Sequence, residues 1–231
     1  ALAGHIQGSE TVFVWSDRRL KRQGINQWGL FTGVPHLGFG MVHRRVPGRD
    51  LTDYNLAVAS GDRSGSLGVA YGWSSGSAGR NGRENRISVG TVLRPSRRVS
   101  FGIALVSTLD GAWEAVADLA LRPAFGRRLT LFAEAASANE DGGGGEYWSG
   151  GATLELADGL LLTGRFFDNR TVSLGLELGF SRTALNTQSR LDGDRREFNT
   201  YSARVGPRRA SALSRYRHRD PKYLELEFDR P

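Results

Sequence analysis

The sequence predicts an all-β fold, a transmembrane antiparallel up-and-down β-barrel of about fourteen strands, with roughly 12 to 16 as the range. Three features carry that expectation. Apolar residues alternate with small or polar ones at period two, many alternating runs reach about nine to eleven residues, and short turns trade places with longer polar loops. A tilted strand needs about nine to eleven residues to cross a bilayer, whereas strands of globular proteins centre on about five or six.

The alternation is cleanest from Thr171 to Ser181, where Val172, Leu174, Leu176, Leu178 and Phe180 are interleaved with Ser173, Gly175, Glu177 and Gly179. Ser66 to Ser74 sets Leu67, Val69, Tyr71 and Trp73 against Gly68, Ala70 and Gly72, and Val99 to Ser107 repeats the pattern. Extended over the chain, the reading places strands near 11 to 16, 27 to 33, 36 to 45, 53 to 61, 65 to 74, 85 to 94 and 98 to 108. It continues with 113 to 122, 128 to 137, 146 to 157, 160 to 168, 171 to 181, 197 to 206 and 222 to 229. Pro35, Pro47, Pro95, Pro123, Pro207 and Pro221 all fall in turns or at strand ends, where a missing N–H costs no ladder bond.

Tight turns are expected near 34 to 36, 62 to 64, 95 to 97, 123 to 127 and 158 to 159, and longer loops at 46 to 52, 75 to 84, 109 to 112 and 138 to 145. In a membrane barrel the short turns mark the periplasmic side and the long loops the outer one. The rhythm breaks once: a short turn around Asn169 takes the place of a long loop, which puts the polar segment from Arg182 to Arg196 on the periplasmic side. Trp28, Trp73, Trp113 and Trp148 are all expected at the long-loop rim, as membrane-interface aromatics.

Composition removes several classes. The absence of Cys excludes a disulfide framework and a Cys-based metal site. No run of about 18 apolar residues exists, so no spanning helix is expected, and a mean hydropathy of -0.37 suits strands with one polar face. The net charge of +7 comes from arginine rather than lysine, and the arginines lie mostly in turns and loops. Membrane lipid or lipopolysaccharide phosphates are the expected partner, not nucleic acid. Residues 1 to 5 show neither the charged nor the apolar region of a secretory signal, so any such signal is expected to have been removed already. A soluble sandwich would share the alternation, but the strand length, strand number and tryptophan rim favour the membrane.

The alternating strands at Ser66 to Ser74 and Thr171 to Ser181, joined by Arg-Pro turns such as Arg94-Pro95 and Arg122-Pro123, resemble bacterial outer-membrane β-barrel proteins of porin-like kind. A fainter similarity is to barrel domains of larger envelope proteins, including some with a signal-peptide-peptidase-like domain. The resemblance implies a Gram-negative outer-membrane location. Such barrels commonly end on an aromatic, whereas Tyr223 to Phe228 alternates and then continues through Asp229-Arg230-Pro231. Residues 1 to 231 therefore read as a single barrel domain, with either a degenerate terminal signal or a chain cut from a longer one.

Catalytic motifs are weak. Gly72-Trp73-Ser74-Ser75-Gly76 matches a nucleophile elbow, but the following Gly79-Arg80-Asn81-Gly82 is loop chemistry where a helix is required. His36 and His43 would point to opposite faces of one strand, and the acidic stretches at Asn139 to Glu146 and Asp192 to Asp194 lack calcium-loop spacing. No enzyme activity, metal or cofactor is expected. The inward charges are more informative: Glu114 and Asp118 share one strand face, Glu134 lies across the turn, and on the other side of the barrel Arg165 and Glu177 share the inner face of adjacent strands, where they could pair. Opposed patches of this kind give pores their transverse field and ion preference. The expected function is porin- or channel-like passage of small solutes, and the alternative is a structural barrel that anchors a periplasmic domain or partner protein.

Overall fold

The computed structural model describes residues 8–17, 27–46, 49–62, 64–76, 85–109, 111–123, 128–139, 145–180, 182–192 and 195–206. They form β1 (Glu10–Asp17), β2 (Gln27–Val34), β3 (Leu37–Val46), β4 (Arg49–Gly61), β5 (Gly65–Gly76), β6 (Arg86–Leu93) and β7 (Val99–Thr108). The second half supplies β8 (Trp113–Leu121), β9 (Leu129–Asn139), β10 (Gly145–Ala157), β11 (Leu160–Phe167), β12 (Val172–Phe180), β13 (Thr183–Asp192) and β14 (Arg195–Val205). Each strand pairs antiparallel with its sequence neighbours, and β1 pairs with β14, so the 14 strands close into a barrel as expected.

Two expected strands differ. The polar segment from Arg182 to Arg196 is not a loop, because Thr183 to Asp192 is β13, paired with β12 on one side and β14 on the other. Its outward positions carry Thr183, Leu185, Thr187 and Ser189, and its inward ones Ala184, Asn186, Gln188 and Arg190, so hydropathy barely alternates. The ladder bonds of the two neighbours fix it instead. The expected strand at 222 to 229 lies outside the described residues, and the barrel closes without it.

The apolar face points outward. Large exposed hydrophobics run from Val34 on β2 to Val205 on β14, with Leu67 and Phe180 each 58% exposed. Among the described residues the buried apolar cluster is small, centred on Val14 and Val42 with Val12 and Phe31 beside it. A soluble sandwich or barrel buries its alternating apolar face, so this inversion excludes that reading. A strand of 11 residues such as β9, tilted by roughly 40°, rises about 28 Å at about 3.3 Å per residue, against roughly 30 Å of bilayer hydrocarbon. Fourteen strands about 4.8 Å apart at that tilt close a ring of roughly 14 Å backbone radius.

The connections sort to two ends. One end carries the turns at 35–36, 62–64, 94–98, 122–128, 158–159 and 181–182, and the other carries the remaining connections, including the long ones at 18–26 and 77–85. With β13 in place, 193–194 falls at the long-loop end and 181–182 at the short-turn end, but 193–194 and 47–48, where a longer loop was expected at 46 to 52, are each only two residues long, so the rhythm of lengths holds only in part. The turn around Asn169 remains short at the long-loop end. The short turns are chemically specified. Asp62 accepts hydrogen bonds from the Ser64 and Gly65 amides, and Gly159 takes φ 81°, where an added Cβ would stand 2.6 Å from the Gly179 carbonyl oxygen.

Candidate functional site: the inner wall and the aromatic rim

Register places Glu114, Asp118, Glu134, Arg165 and Glu177 on the inward face, the face that also carries the buried serines and glycines. Asp118 and Glu134 are direct cross-strand partners on β8 and β9. Arg165 on β11 is not on the far side of the barrel from them. Its Nη2 donates to Glu134 Oε1 at 3.0 Å and to Ser149 Oγ at 2.7 Å, and its Nε donates to the same hydroxyl at 3.1 Å. The reach across β10 is open because the inward residues there are Ser149 and Gly151, which leave the guanidinium room. Glu177 lies four residues along β12 from Ser173, the residue facing Arg165, and Arg165 is paired with Glu134. Glu114 accepts a hydrogen bond from the Tyr147 hydroxyl.

The network continues along the wall. Arg165, Ser173 and Arg190 occupy one transverse row on β11, β12 and β13, and the two guanidinium carbons each lie 4.8 Å from the Phe167 ring centroid. Each arginine gains a cation–π contact from the aromatic between them. Gln188 donates to Ser173 Oγ at 2.6 Å. Acids on β8 and β9 therefore grade into arginines on β11 and β13 within one continuous patch.

A second charged cluster, unanticipated from the sequence, occupies β3, β4 and β5. Asp53 is buried and accepts hydrogen bonds from the Arg44 guanidinium and the Ser74 hydroxyl. The parity of β3, with Gly38, Gly40 and Val42 on the inward face, already puts Arg44 inward. At the seam, Arg204 on β14 lies 3.7 Å from Glu10 on β1. In a closed ring of 14, β4 and β10 are six strands apart, so the Asp53 and Arg165 clusters sit nearly across the lumen from each other.

Glycines seat several large inward side chains against the wall. A Cβ on Gly29 or Gly40 would meet the Phe31 ring at 2.9 Å, one on Gly151 would meet Phe132 at 2.6 Å, and one on Gly102 would meet both Asp118 carboxylate oxygens at 2.7 Å. These side chains lie along the sheet rather than across the lumen.

The outward face carries the tryptophans. Trp28, Trp73, Trp113 and Trp148 all stand toward the long-loop end, joined by Trp15, which the sequence reading left out. Trp15 stacks on Tyr201 with centroids 5.5 Å apart, Tyr54 on Trp73 at 5.4 Å, and Trp28 lies 5.6 Å from the His43 ring. Among the described residues the outward face near the short turns has Phe180 and aliphatics but no Trp or Tyr.

The chemical motifs dissolve into structure. Ser74 lies within β5, where its hydroxyl donates to Asp53, and residues 77–84 after the strand lie outside the described residues. His36 is in the tight turn at φ 71°, and His43 faces outward with Nδ1 3.0 Å from Thr52 Oγ1. No group of three potential metal ligands occurs among the described residues. Residues 140–144 and 193–194, the centres of the two acidic stretches, lie outside the described residues.

No family model matches the chain, and no curated protein matches it in sequence. Solved structures do match in shape. The outer membrane protein Omp33 of Acinetobacter baumannii aligns with a TM-score of 0.55 and 8% identity over 88% of this chain and 99% of its own. An engineered triple mutant of the Rhodopseudomonas blastica porin aligns with a TM-score of 0.51 and 8% identity over 85% of this chain and 98% of its own. The barrel has a porin-like fold. At this identity the likeness is one of strand arrangement, and the wall residues stand on their own geometry.

Proposed function

We propose that the protein is an outer-membrane channel of porin type that passes small hydrophilic solutes, with the long loops on the outer side. The observation that carries this reading is the inversion of the barrel: apolar side chains form the outer surface, and polar and charged ones the interior. A lipid-facing exterior around a polar interior is the physical requirement for an aqueous path through hydrocarbon. A ring of roughly 14 Å backbone radius leaves width for such a path when inward side chains lie along the wall. The tryptophan rim then sits at the headgroup level of the outer leaflet, in contact with lipid or lipopolysaccharide, because amphipathic rings favour that interface. Glu114, Asp118, Glu134, Arg165 and Glu177 line the path.

The test is conductance of the folded protein in planar bilayers. Discrete, reproducible steps are expected. A heat-modifiable, folded barrel that inserts without steps would defeat the channel reading and favour the anchoring alternative.

A further inference from the structure

Resting on the channel reading, we propose that the lumen is electrically self-compensated: Arg165 on one wall and Asp53 on the other neutralise their neighbours locally, so the pore favours uncharged and zwitterionic polar solutes over ions of either sign. The chemistry is in the pairing. A transverse field needs acids on one wall and bases on the opposite one, each without a local counter-charge. Here Glu134 and Arg165 meet at 3.0 Å with side chains 6% and 3% exposed, and Asp53 is held by Arg44. Because the clusters face each other across the ring, each presents a charge-balanced pair rather than half of a dipole. Asp118, the direct cross-strand neighbour of Glu134, lies flat over Gly102 and adds its charge to the same patch, where Arg190 stands beyond Phe167.

Single residues then set the sign of selectivity. Removing the Arg165 charge takes one positive neighbour from Glu134 and shifts the patch toward acidic. Removing the Asp53 charge takes one negative neighbour from Arg44 and shifts the opposite patch toward basic. The two changes act in opposite directions, although the residues belong to the same pore.

The experiment is reversal potential under a gradient of dilute potassium chloride, measured on wild type, Arg165→Gln, Asp53→Asn, Glu134→Gln and the double variant Arg165→Gln with Glu134→Gln. Wild type is expected near zero. Arg165→Gln should raise the cation-to-anion permeability ratio about sevenfold, because one added unit of negative charge about 7 Å from a passing ion in water favours the cation by a Boltzmann factor of about three and disfavours the anion by the same factor. Asp53→Asn and Glu134→Gln should move the ratio the other way, and the double variant should return close to wild type. If Arg165→Gln does not fold, the opposite shift of Glu134→Gln and its reversal in the double variant carry the test. Conducting channels in which wild type is strongly selective, or in which no variant moves the reversal potential, overturn this proposal alone. Folded wild type without conductance overturns the channel reading, and this proposal with it.

Discussion

The Arg165 pair is the most consequential contact at the residue scale. Both partners are nearly fully buried, and breaking a comparable buried pair by removing one partner costs about 3–5 kcal/mol. Arg165→Met should therefore lower the urea midpoint of the folded barrel substantially, while Arg165→Met combined with Glu134→Leu recovers much of the loss. Equilibrium unfolding followed by tryptophan fluorescence reads both. The glycine seats give a second, graded prediction. A Cβ on Gly151 would stand 2.2 Å from the Gly164 carbonyl oxygen, whereas one on Gly40 would meet only the Phe31 ring, at 2.9 Å. Backbone cannot yield as a ring can, so Gly151→Ala should destabilise more than Gly40→Ala in the same titration. Side-chain parity made the inward position of these residues legible in the sequence. The partnership of Arg165 was not, because it spans an intervening strand and depends on Ser149 and Gly151 being small.

Hydropathy and physical pairing parted company at the level of elements. The strands from Ser66 to Ser74 and from Thr171 to Ser181 stood out because their outward residues are Leu, Val, Tyr, Trp and Phe. β13 did not, since Thr187 and Ser189 occupy outward positions where a lipid-facing strand ordinarily shows aliphatics. β13 holds its place through ladders to β12 and β14, an interaction invisible to any one-strand pattern. Amide hydrogen exchange separates the two readings: Thr183 to Asp192 should exchange as slowly as Val172 to Phe180, whereas a polar loop would exchange fast. The turns were more legible than the polar strand, because Asp62 and Gly159 are residues whose local chemistry dictates the chain reversal.

Taken as a whole molecule, the barrel is asymmetric along its axis, with all 5 tryptophans toward one end. If that end lies at the headgroups, lipids brominated near the carboxyl end of their chains should quench tryptophan fluorescence strongly, and lipids brominated near the chain terminus only weakly. The reverse order would place the rim at mid-bilayer and contradict the proposed seating. Closure and antiparallel order followed from alternation and loop rhythm, since these are properties of backbone and solvent, and the count of fourteen agrees with β13 standing where the expected strands had instead included 222 to 229. The disposition of charge across the lumen did not follow, since it depends on which long side chains bend toward which neighbours. Paired charges on the inner wall have one further physical effect. Fixed charge that is answered within the wall gathers no mobile cloud of counter-ions, and without that cloud an applied voltage has nothing with which to drag water. A pore built this way should show almost no electro-osmotic flow, so neutral solutes would cross at the same rate under either polarity.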